Sequence, residues 1–119
     1  MRIIVIEDDA AVADALAALL AEAGCDIRVY GSAETFMASG PPVDGDVVVV
    51  DLGLPGISGR DVIRWLGGLA ARPRVVVISG KAERDLTREL QGLAFDGVLR
   101  KPPSVNWLPE IVPDRTATP

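Results

Sequence analysis

The chain has 119 residues, 49% hydrophobic and 4% aromatic, with a formal net charge of −5, one cysteine and no histidine; that length makes one domain, burying roughly two-thirds of the surface its unfolded chain would expose. An internal disulfide, a cysteine-based metal cluster, histidine-ligated zinc and any histidine base or phosphohistidine on this chain are thereby excluded. The acidic balance leaves no basic face for phosphate contacts, so direct nucleic-acid binding is not expected.

Met1 to Ile6 is nearly continuous in β-branched residues and predicts a short buried strand, which runs into the acids Glu7-Asp8-Asp9. Val12, Leu16, Leu19, Leu20 and Ala23 then recur at helical spacing, predicting a helix over Ala10 to Ala23 with Gly24 as its C′ residue. Asp9, directly ahead of Ala10, fits an N-cap better than a metal ligand. Cys25 reads as a small, partly buried hydrophobe. Asp26 to Tyr30 predicts a second strand, and Ser32 caps a short helix through Ala38. The Gly40-Pro41-Pro42 loop leads to Val47-Val48-Val49-Val50, a run suited to a strand buried on both faces, which ends abruptly in Asp51 and a Gly/Pro-rich loop.

Ser58-Gly59 opens a helix carrying Val62, Ile63, Leu66 and Leu69. Arg74 to Ile78 predicts a fourth strand, terminated by Ser79-Gly80, and Ala82 to Leu93 a helix with Ala82, Leu86, Leu90 and Leu93 along one stripe. Gly97 to Arg100 predicts a fifth strand, stopped by Lys101-Pro102-Pro103. Pro109 and Pro113 leave room only for a short or broken last helix. Trp65 and Trp107 read as packing residues. The expected domain covers 1–112, with 113–119 as a flexible tail. No run of about 18 apolar residues occurs, nor a basic region ahead of an apolar stretch, which predicts a soluble cytoplasmic protein without signal peptide or membrane span.

Strands alternating with helices predict a doubly wound α/β fold with a five-stranded parallel sheet. The flavodoxin-like order 2-1-3-4-5 places a switch point between the first and third strands, lined by Glu7, Asp8 and Asp51. Carboxylates this close repel unless a cation lies between them. Mg²⁺ suits such a set, because it takes one or two protein carboxylates and completes its octahedron with waters and a phosphate oxygen. A carboxylate can also attack phosphorus to form an acyl phosphate, with the metal and Lys101 neutralising the transferring oxygens and Ser79 donating a hydrogen bond.

Val5-Ile6-Glu7-Asp8-Asp9, Asp51-Leu52-Gly53-Leu54-Pro55-Gly56-Ile57-Ser58-Gly59, Ser79 and Lys101-Pro102 together resemble the receiver domain of two-component response regulators, in the family's order and across nearly the whole chain. The resemblance implies Asp51 as phosphoacceptor. It further implies Mg²⁺ bound by Asp8, Asp51 and the Gly53 backbone carbonyl, with Glu7 acting through water. Ser79 becomes the switch hydroxyl and Lys101 the phosphate-pairing cation, with a Lys101-Pro102 peptide that is often cis in this family. A histidine kinase or histidine phosphotransfer protein is the implied donor, and a downstream effector or output domain the implied target. At most slow self-dephosphorylation follows, rather than enzymatic turnover.

Two departures bear on the output. The family usually has Tyr or Phe three residues before the lysine, where this chain has Val98, and its last helix is usually uninterrupted. They motivate an alternative reading, a degenerate receiver that binds partners without phosphorylation. An aspartyl phosphohydrolase of the haloacid-dehalogenase type needs a second carboxylate two residues after the nucleophile, and position 53 is Gly. A flavin or nucleotide binder on the same fold needs a phosphate-cradling first loop, which Glu7-Asp8-Asp9 would repel.

Overall fold

The computed structural model describes residues 2–113; the expected tail therefore lies, apart from Pro113, outside the described residues. In chain order the elements are β1 (Arg2–Ile6), α1 (Ala10–Glu22), β2 (Asp26–Tyr30), α2 (Ala33–Ala38), β3 (Val47–Asp51), α3 (Gly59–Gly67), β4 (Arg74–Ser79), α4 (Glu83–Leu90) and β5 (Gly97–Arg100). A single 3₁₀ turn over Val105–Trp107 leads into α5 (Leu108–Ile111). The five strands form one parallel sheet in the order β2-β1-β3-β4-β5, as expected.

Alternate strand residues point to opposite faces, and both faces of the central strands are covered. On one side Ile4, Ile6, Val48, Val50, Val75 and Val77 pack under α2, α3 and α4 through Phe36, Val62, Ile63, Leu66, Leu86 and Leu90. On the other, Ile3, Val5, Val47, Val49, Val76 and Ile78 pack under α1, the 3₁₀ turn and α5 through Leu16, Leu20, Trp107 and Ile111. Each such Val, Ile or Leu contributes about 1.5–3 kcal/mol on burial. The two-sided cover explains why β1, β3 and β4 need unbroken apolar runs. The outer strand β2, with three of its five residues exposed, alternates with charge.

The expected helix starts hold: Asp9 Oδ1 accepts from the Ala11 amide at 2.9 Å, Ser32 Oγ from Thr35 at 3.1 Å and Ser58 Oγ from Asp61 at 3.2 Å. Trp65 and Trp107 pack as expected, Trp107 being buried with its indole N–H donating to the Arg100 carbonyl at 3.2 Å. Cys25 is partly buried against the α1 side of the core. Helix α4 ends at Leu90, short of the expected Leu93. Gln91 (φ −59°, ψ 128°) and Gly92 (φ 80°) occupy the central positions of a type II turn, closed by the Leu93 amide on the Leu90 carbonyl at 3.1 Å. Leu93 still packs on the same core, so its apolar spacing was genuine while the helix was not. Helix α5 has only four residues; the Arg74 guanidinium holds it by donating to the Glu110 carbonyl at 2.6 and 3.2 Å. No described helix is long and apolar enough to cross a membrane.

Candidate functional site

The carboxyl edge of the sheet collects the side chains singled out above. Asp51, the last residue of β3, is 4% exposed. Its backbone is wedged against α3: a Cβ on Gly59 would lie 2.4 Å from the Asp51 carbonyl oxygen, so only glycine admits this approach. The following loop turns at Gly56 (φ 72°), where Glu34 of α2 crosses over and accepts from the Ile57 amide at 3.4 Å. Sequence reasoning assigned neither contact. The visible signal was a glycine at the first position of a helix, where a poor helix former needs another reason to be present.

Glu7 follows β1 and is buried, its amide still bonded to the Tyr30 carbonyl at 3.0 Å. Its Oε2 accepts from the Asp9 amide at 3.2 Å, whereas Oε1 has no hydrogen bond of good geometry and lies 3.1 Å from the Lys101 ammonium. Asp8 is exposed. One oxygen from each of Glu7, Asp8 and Asp51 can be chosen so that all lie within 4.8 Å of one another. Gly53 is exposed above the nucleophile candidate, and its amide donates to Asp51 Oδ1 at 3.0 Å.

Lys101, just beyond β5, places Nζ 3.3 Å from Asp51 Oδ2 as well as against Glu7, and the Lys101-Pro102 peptide is cis. Burial pulls the ammonium's pKa down, but Glu7 and Asp51 outweigh it and the net shift is upward. Glu7 moves the other way relative to its charge: burial first, then the Asp51 carboxylate, raise its pKa from 4.5 to about 7, against weaker help from the Asp9 amide and Lys101. Ser79 ends β4 at 1% exposure. Its Oγ accepts from the Lys81 amide at 3.0 Å, so the hydroxyl is engaged with its own loop, while the hydrogen bonds to Asp51 come from Gly53 and Lys101.

Of the expected set, then, Glu7, Asp8, Asp51 and Lys101 are in one cluster, Gly53 borders it, Ser79 is at the same edge without a hydrogen bond to Asp51, and Asp9 is a cap. Three carboxylates face one ammonium, which leaves two negative charges uncompensated when all are ionised. The donors are all hard oxygens, and among the described residues the one buried side-chain oxygen lacking a hydrogen bond, Glu7 Oε1, belongs to the cluster. Such a set fits a divalent cation of the Mg²⁺ type. Lys101 does not replace it, because Asp8 makes no ion pair with the ammonium.

The chain matches the family described as response regulator receiver domain over residues 3–112. It is 36% identical over 98 residues to the transcriptional regulatory protein FixJ of Azorhizobium caulinodans, covering 82% of this chain and 46% of the relative. It is 33% identical to the sensory transduction protein RegX3 of Mycolicibacterium smegmatis, covering 89% of this chain and 46% of that protein. The chain thus spans about half the length of the curated relatives it matches. A solved receiver domain described as CheY-like, from Methylobacillus flagellatus, superposes with a TM-score of 0.81 at 27% identity, covering 97% of this chain and 98% of that one.

Proposed function

Because the chain belongs to the response regulator receiver domain family of two-component systems, we propose that it accepts a phosphoryl group on Asp51 and passes the event on as a change of shape. The observation that carries this reading is the convergence of Glu7, Asp8 and Asp51 within 4.8 Å, with the Lys101 ammonium 3.1 to 3.3 Å from two of them. The donor is the phosphohistidine of a kinase or phosphotransfer protein, since this chain has no histidine. An Asp51 oxygen attacks phosphorus, the phosphorus–nitrogen bond breaks, and the imidazole keeps the electron pair.

Asp8, Asp51 and the Gly53 carbonyl would hold Mg²⁺ directly, with Glu7 reaching it through water. When bound, the ion would neutralise phosphoryl oxygens during transfer. Lys101 pairs the remaining oxygen charge from the β5 side. Its raised pKa keeps it cationic throughout the physiological range. The relatives' printed roles belong to chains about twice this length, and an effector or output domain is the expected recipient of the signal.

Val98 in the place of an aromatic favours one second reading, a partner-binding module indifferent to phosphorylation. Intact mass after incubation with Mg²⁺ and acetyl phosphate separates the two. The parent should gain one phosphoryl group only with Mg²⁺, and Asp51→Asn none. No gain in the parent would leave the second reading standing.

A further inference from the structure

The Ser79–Gly80–Lys81 loop is tied at one residue to three places. The Lys81 amide donates to Ser79 Oγ at 3.0 Å, the Lys81 ammonium pairs with Glu89 of α4, and the Lys81 carbonyl accepts from Nη2 of Arg100 on β5. Arg100 is exposed, and its guanidinium reaches back to the loop, where Nη2 donates to the Lys81 carbonyl. It also stands two residues from Val98 on the same side of β5, and the two line one groove of about 540 Å³ with Leu86, Leu90 and Phe95. One side chain thus touches the loop that carries the switch hydroxyl and walls the groove between α4 and β5. Nothing in the sequence reading assigned it a role.

We propose that Arg100 is the positioning residue that couples the Ser79 loop to the groove. The proposal rests on the phosphoacceptor reading given above. Position 98 is valine and carries no aromatic ring, so no ring there connects the two regions. A guanidinium hydrogen bond to a backbone carbonyl is charge-assisted and directional, and it follows the carbonyl when the peptide moves. If Ser79 Oγ turns towards a phosphoryl group on Asp51, the Gly80–Lys81 peptide it holds moves, the adjoining Lys81 carbonyl moves with it through the shared Cα, and Arg100 carries that movement to the side chains beside it in the groove. The covalent route through Ala82 reaches α4 without Arg100, so the β5 side of the groove is where the residue's contribution is legible.

The test compares the parent with Arg100→Ala and Arg100→Lys by NMR on adding beryllofluoride and Mg²⁺. In the parent, the Gly80 and Lys81 amides and the Val98 methyl and Phe95 ring signals should all shift. In Arg100→Ala the loop amides should still shift while the Val98 and Phe95 responses fall several-fold, and Arg100→Lys should restore part of them. Thermal unfolding of both variants should match the parent, since the side chain is exposed. Undiminished Val98 and Phe95 shifts in Arg100→Ala overturn the coupling role and leave the phosphoacceptor reading intact. No shift at Gly80 or Lys81 in the parent overturns the phosphoacceptor reading itself, and the coupling role with it.

Discussion

The two edges of the sheet treat their aspartates in opposite ways. At the amino edge Asp46, 3% exposed, accepts from Arg2 at 2.7 Å and from the Val43 amide at 2.8 Å. Nearby, Asp96 accepts from the Val75 amide at 2.8 Å and lies 3.4 Å from Arg72. Each of these two carboxylates has its own arginine and its own amide. At the carboxyl edge Glu7 and Asp51 share Lys101, and Asp8 stands in the same cluster with no ion pair to it. At the amino edge these two carboxylates are satisfied and lock loops to strands, although Arg2 Nε is buried there without a hydrogen bond. The carboxyl edge is left short of positive charge, and an anionic deficit held in place by a rigid sheet is what a divalent cation and a transferring phosphoryl group can use.

The largest expected difference between the edges is with pH. Glu7 has a folded pKa of about 7 against 4.5 when unfolded, so below pH 4.5 both states are protonated and the group is neutral to stability. As pH rises through that window the folded protein holds the proton more tightly, and ionising it at the site lowers stability. Without divalent ions the loss should approach about 3 kcal/mol above pH 7, at about 1.4 kcal/mol per pKa unit. Urea unfolding at pH 5 and pH 8 should show it, Mg²⁺ should reduce it, and Glu7→Gln should remove it. A pH-independent midpoint in the metal-free parent would mean that the carboxyl edge is not short of charge.

The same chemical change made at each edge sharpens the contrast. Asp46→Asn removes a charge that Arg2 and Val43 both use, and should destabilise by about 2 kcal/mol, the worth of a hydrogen-bonded charged group. Asp51→Asn relieves like-charge crowding while Lys101 keeps Glu7, and should leave the metal-free protein as stable as before or slightly more so. Equal losses for the two variants, measured by denaturant midpoints, would erase the distinction.

A smaller effect tests how rigidly the site is held. Gly59→Ala pushes a methyl against the Asp51 carbonyl and the Leu52 Cα, 2.4 and 2.9 Å away, where backbone must move. Overpacking of this kind costs about 1–3 kcal/mol, and because Asp51 moves with the strand end, Mg²⁺ affinity should fall too. A loss of stability with unchanged Mg²⁺ binding would show that Asp51 is positioned by something other than the α3 contact.

Much of this was legible one-dimensionally. The Val47–Val50 run and the helical spacing of Leu16 and Leu20 marked the elements, and Asp9, Ser32 and Ser58 announced their helices, because caps and periodicity are local properties of the backbone. The gathering of Glu7, Asp8, Asp51 and Lys101 also followed, since parallel strands send all their carboxyl ends to one edge. The amino edge was equally accessible in principle: Ile3 pairs with Val47, which brings Arg2 beside Asp46. It went unread because a charged residue at a strand start, taken alone, looks like solvation.

Composition and pattern alone determined the α/β architecture, the strand order and the identity of the acidic cluster, all of which depend on short-range preferences and the handedness of crossovers. Tertiary structure decided the early end of α4 at Gln91-Gly92, the need for glycine at position 59, the attachment of Ser79 to Lys81, and the turn of Arg100 back onto the loop. Those features depend on which atoms of distant segments come within a few ångströms once the layers are packed. No periodicity in the chain encodes such distances.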